Sequence, residues 1–102
     1  MSKQREALVV DAVILNVADH VATALRPLSA GETVNIGGPE GVRSITAAEP
    51  IPLCHKIAVK AVKQGGTVCK YGEFIGDATT PIEPGDHVHI HNIKSRAARQ
   101  KC

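Results

Sequence analysis

The chain has 102 residues, enough for one domain with a modest core, with 43% apolar residues, 22% charged residues and a formal net charge of +2. Tyr71 and Phe74 are its only strong aromatics, which argues against a module that stacks nucleobases on rings and leaves the core to Val, Ile, Leu and Ala. No apolar run approaches the roughly 20 residues of a membrane span, and residues 1–6 lack the apolar stretch of a secretory signal, so a cytoplasmic chain with neither membrane nor nucleic-acid partner is expected.

Residues 7–15 are mostly apolar and β-branched, interrupted by Asp11, and read as a first strand. The turn cluster Gly37-Gly38-Pro39-Glu40-Gly41 then separates two further strand candidates, residues 33–36 and 42–46. Pro50 and Pro52 force an extended connection, and no long window has a helical period with caps. The expectation is an all-β domain over residues 1–93 with at most short helical turns. Residues 94–102 carry four cations and read as a solvated basic tail. Cys54, Cys69 and Cys102 are odd in number and lack C-x-x-C spacing, so reduced thiols are expected rather than a disulfide framework or zinc knuckle.

A repeat supports the all-β reading. Residues 24–34, 58–68 and 78–88 share one register, with alanine first, an aliphatic at the fifth place, glycine at the eighth and valine at the eleventh. This is the pattern of strand, tight turn and strand, with Gly31, Gly65 and Gly85 supplying the positive φ. Val34, Val68 and Val88 are expected to be buried.

Three segments carry chemistry. In Asp86-His87-Val88-His89-Ile90-His91-Asn92, an extended strand would put His87, His89 and His91 on one face, with Val88 and Ile90 facing the core. Three imidazoles spread over about 13 Å are too far apart for one ion, so a metal would take two of them plus His55 or His20. The plain alternative is a polar strand face in water. His55-Lys56, after the proline-rich stretch, offers an acid–base element or anion clamp, or simply a polar strand start. Lys70-Tyr71-Gly72 offers a cation, a phenol and a backbone open to close approach; a lysine snorkelling from a strand edge is the plain reading.

These segments, together with Asp19-His20-Val21-Ala22 and Ile75-Gly76, resemble the N-terminal SAF domain of altronate and galactarate dehydratases and the separate small subunit of sulfolactate sulfo-lyase. The likeness runs from about residue 18 to residue 93. It implies a SAF-type β-clip fold, a divalent metal that is usually Fe(2+), and elimination of water or sulfite from a hydroxy acid together with a large subunit. On this resemblance His55, Lys56, Lys70 and Tyr71 are the catalytic candidates, His20 and Asn92 the substrate contacts, and His87, His89 and His91 the metal ligands. The chain alone is expected to be inactive, and homo-oligomerisation stays open. The alternatives are a sulfo-lyase small subunit, or a non-catalytic β-clip module that binds carbohydrate or a small anion. Two departures stand out: Cys54 occupies a place where glycine is usual, and His20 one where asparagine is usual. Galactarate dehydratases keep the His-Lys and Tyr-Gly pairs but lack the histidine strand.

Overall fold

The computed structural model describes residues 9–95. It contains β1 (Ala12–Val13), β2 (Val21–Ala24), β3 (Thr33–Gly38), β4 (Gly41–Thr46), β5 (Lys56–Ala58), β6 (Thr67–Lys70), β7 (Glu73–Ala78), β8 (His87–Val88) and β9 (Ile93–Lys94). The order β4-β3-β1-β2-β5-β8 forms one sheet and β6-β7-β9 a second. No helix occurs among the described residues, and none is long and apolar enough to cross a membrane. This agrees with the expectation of an all-β domain with at most short helical turns. Strand β9 runs one residue past the boundary drawn at 93; of the basic tail, residues 96–102 lie outside the described range.

Each repeat forms the same corner. Its alanine ends a strand (Ala24, Ala58, Ala78), its glycine sits in a turn at positive φ (86°, 82° and 97°), and its valine is the second residue of the next strand. Val34, Val68 and Val88 are fully buried. The structure contains a fourth corner that the sequence pattern concealed. Residues 47–57 follow the same course, with Ala47, Ile51 and Ile57 buried and Cys54 in the glycine place at a φ of 71°. The aliphatic residues of the four corners bridge in pairs, Leu28 to Ile51 and Val62 to Ile82. The domain is therefore built twice over: strand, corner, hairpin, corner, strand, with β5 shared between the halves.

This duplication explains the alanine-rich central strands. Ala22 and Ala24 of β2 and Ile57 of β5 face one buried cluster with Leu28, Val34, Ile36 and Ile51. Val21 and Ala58 face a second, with Val62, Val68, Ile82 and Val88. Strands covered on both faces lose the polar–apolar alternation that marks a half-buried strand. The first strand is shorter than expected, because only Ala12 and Val13 join the ladder, antiparallel to β2 and parallel to β3. Asp11 beside them is buried, and its carboxylate accepts from the Asn35 backbone N–H and from Arg26. Cys54 is free and exposed and Cys69 is buried in β6, whereas Cys102 lies outside the described residues.

Candidate metal centre

The histidine segment does not continue as a strand. Only His87 and Val88 pair with β5, opposite Ile57 and Lys56, after which the chain turns. Asn92 makes the turn: its Oδ1 accepts the His89 backbone N–H at 2.9 Å and its Nδ2 donates to the His87 carbonyl at 2.8 Å. Val88 faces the core as expected, but Ile90 is 83% exposed at the loop tip, so the expectation that it faces the core is corrected. With both amide atoms on backbone and 7% exposure, Asn92 holds the loop's shape.

The turn folds His89 back beside His87, and the Pro52–His55 turn brings His55 to both. One ligand atom from each of His55, His87 and His89 can be chosen so that all lie within 4.8 Å of one another. His55 Nδ1 lies 2.9 Å from His87 Nε2, and the His55–His89 ring centroids are 4.5 Å apart. Three neutral imidazole nitrogens at this spacing need only a small closure to surround a divalent ion at about 2.0–2.2 Å each, so the donor set fits one. His91 is exposed and tilted against His87, with centroids 5.2 Å apart, outside that triad. Lost hydration, then the neighbouring imidazoles His55 and His91, hold His87 below the ordinary histidine range, against the pull of Glu49. Lost hydration, then His55 and Lys56, do the same for His89. Glu49, which the sequence did not single out, also accepts the His87 backbone N–H at 3.1 Å.

Alternation along β5 divides the other candidates from this cluster. His55 shares a side with Ile57, whereas Lys56 shares one with Ala58, toward the second core. There Lys56 is paired with Thr23 of β2, and Thr23 Oγ1 accepts the Tyr71 hydroxyl at 2.7 Å. The Lys70 ammonium lies 5.0 Å from the Tyr71 ring centroid. Burial first, then the charge of Lys70, lowers the pKa of Lys56. The site thus has two lobes at the start of β5: imidazoles on one side, two lysines and a phenol on the other. His89 is near enough to both to feel His55 and Lys56.

The second lobe is fastened by Asp19 and His20. Tyr71 and Gly72 have positive φ, 55° and 79°, which is the two-residue turn that matches strand twist. Asp19 is fully buried, and its Oδ1 accepts the Gly72 N–H at 2.8 Å. His20 Nδ1 accepts the Cys69 N–H at 3.0 Å. This geometry accounts for both departures from the family pattern. An asparagine at position 20 offers Oδ1 from the same branch point, and Cys54 stands third in a turn closed by His55 N–H to the Pro52 carbonyl, a place where positive φ favours glycine. Cys54 and Tyr71 are the only non-glycine residues with positive φ among those described, and each adjoins a candidate lysine or histidine.

A pH test follows from His20. Burial, then Lys60, lowers its pKa, with Asp19 opposing, and protonation would remove its acceptor. The unfolded chain therefore binds the extra proton more readily, so stability falls as pH drops below about 6.5. Melting temperatures from pH 7.5 to 5 are expected to fall less steeply in His20→Asn than in the parent. Equal slopes would show that the acid sensitivity of folding does not come from His20.

Residues 10–96 match the altronate/galactarate dehydratase SAF domain. The chain thus belongs to this family, and its two sheets of short strands agree with a SAF β-clip domain. It is 38% identical over 77 residues to altronate dehydratase of Bacillus subtilis, covering 76% of this chain and 15% of that protein. It is 33% identical over 81 residues to altronate dehydratase of Escherichia coli, covering 79% of this chain and 16% of that protein. It is 50% identical over 52 residues to (2R)-sulfolactate sulfo-lyase subunit alpha of Paracoccus pantotrophus, covering 51% of this chain and 78% of that subunit. The chain therefore spans about one-sixth of the dehydratases it resembles.

Proposed function

We propose that this chain is the small SAF-domain subunit of a divalent-metal lyase of the altronate dehydratase type, working in the cytoplasm with a large catalytic subunit on a sugar acid or related hydroxy acid. The observation that carries the reading is the meeting of His55 with His87 and His89, from segments 32 residues apart, beside a lobe of two lysines. A cation such as Fe(2+) held there supplies Lewis acidity toward an oxygen of the substrate. His55, His87 and His89 would hold it, with His91 at the margin. Lys56, whose pKa is lowered by burial and then by Lys70, is placed to accept a proton. Lys70 and Tyr71 orient the anionic end of the substrate. His20 and Asn92, expected to meet substrate directly, serve instead to position the Tyr71 turn and the histidine loop.

The test is reconstitution of the chain with its large subunit and iron, assayed against altronate, galactarate and sulfolactate. Turnover of a sugar acid is expected from the pair and not from this chain alone, and Lys56→Met should lower kcat by about 10²–10⁴-fold. Activity of the chain alone, or a large subunit indifferent to its presence, would overturn the reading. The second reading, a sulfo-lyase small subunit, is favoured by the 78% coverage of a curated subunit alpha; release of sulfite from sulfolactate by the pair would decide for it.

A further inference from the structure

The duplicated halves differ at one edge. Strand β7, second strand of its hairpin, carries β9 on its outer side, with Asp77 opposite Lys94 and Ala78 opposite Ile93. Its counterpart β4, second strand of the other hairpin, ends its sheet with nothing paired outside it among the described residues. Five of its six residues are exposed. At its far end the Gly85 turn approaches, and Ala48 donates to the Gly85 carbonyl, so the uncovered edge is essentially Gly41 to Ile45. A long uncovered strand is a template for another strand.

Beside this edge lies a cleft of about 310 Å³. Ile14, Val17, Ile36 and Val42 give it apolar walls, and Arg43 and Lys60 stand at its rim. Val17 and Val42 are 50% and 41% exposed. The two cations each donate to a backbone carbonyl, Arg43 to Val59 and Lys60 to Val17. Neither has a described carboxylate within ion-pairing distance, and both keep further donors free. Glu40 is the one acid in the lining, leaving an excess of positive charge. The cleft lies toward the hairpin tip, whereas His87 lies near the opposite end through Glu49, about 17 Å along β4. Both surfaces can be engaged at once.

We infer that β4 and this cleft form a docking site for an extended segment of another polypeptide, which adds antiparallel to β4 and alternates apolar with acidic side chains. Backbone pairing along Gly41 to Ile45 supplies the attachment, apolar side chains enter the cleft, and carboxylates meet Arg43 and Lys60. The inference does not depend on the lyase reading.

The full 102-residue chain is titrated with a synthetic peptide of alternating valine and glutamate. Saturable binding is expected, with amide shifts and slowed hydrogen exchange concentrated at Gly41 to Ile45. The same peptide N-methylated at alternate residues should not bind, because its pairing edge is blocked. An alternating valine–lysine peptide, or the Arg43→Glu/Lys60→Glu double variant with the acidic peptide, should bind at least about tenfold more weakly. Shifts centred elsewhere, equal affinity for the lysine peptide, full binding of the N-methylated peptide, or no binding at millimolar peptide would each overturn the proposal.

Discussion

Replacing Asp19 with alanine is expected to lower the unfolding free energy by at least about 4 kcal/mol, since each of its three hydrogen bonds to a charged group contributes about 1.5–3 kcal/mol. The side chain is fully buried. Its Oδ2 accepts the Leu15 and Asn16 N–H groups at 3.0 and 3.1 Å, and its Oδ1 accepts the Gly72 N–H, 53 residues away. Alanine leaves three donors without their acceptor and detaches the hairpin that presents Lys70 and Tyr71. For a domain whose total stability is of order 5–15 kcal/mol, that loss approaches unfolding. Asp19→Asn, which keeps one acceptor oxygen, should fall between alanine and the parent. Urea denaturation measures both, and a cost under about 1 kcal/mol for alanine would mean that solvent replaces the carboxylate at this joint.

Removing an imidazole of the triad should do little to folding and much to metal affinity. Cobalt(II) titration, followed by its visible spectrum, is expected to give weak, micromolar-range binding by the parent, as suits three ligands with an open coordination sphere. His55→Ala or His87→Ala should weaken it by at least about 30-fold, His91→Ala by less than about threefold, and Asn92→Ala by about tenfold through loss of the loop's shape. Because the pKa values of His87 and His89 are lowered, those rings stay neutral to more acidic pH than free imidazole. Proton competition at them should therefore set in below about pH 6.5. Equal losses for His91→Ala and His87→Ala would show that the ion sits on a different set of rings.

The corners were legible because glycine, alanine and valine at fixed places each have a local steric meaning. The fourth corner was not, because Cys54 occupies the glycine place and its positive φ is imposed by the surrounding fold. The all-β class and the importance of His55 and His87 could be read from residue type and motif. Their direct contact depends on β5 pairing with β8 across 30 residues of sequence, which no local pattern contains. The histidine run was misread as a strand because its alternation fits period two perfectly. What breaks the strand is the side-chain amide of Asn92, bonded to backbone three and five residues earlier. Asp19 gave no signal as an anchor, since its partner at Gly72 is visible only once the hairpin is folded.

The doubled architecture also has a kinetic side. The β3–β4 and β6–β7 hairpins have the tightest turns, each closed by a two-residue loop, and such hairpins form within about 1–10 μs. Every other ladder closes a longer loop, for example Val21 to Ala58 or Ile57 to His87, and domains of this topology fold over milliseconds to seconds. The pairing of β8 with β5 encloses the whole second hairpin, so the three imidazoles are expected to assemble late. Interactions that form after the rate-limiting barrier leave the folding rate nearly untouched and slow only its reversal. A cation gripped by His55, His87 and His89 would thus act as a latch on the finished domain, lengthening its lifetime without hastening its birth.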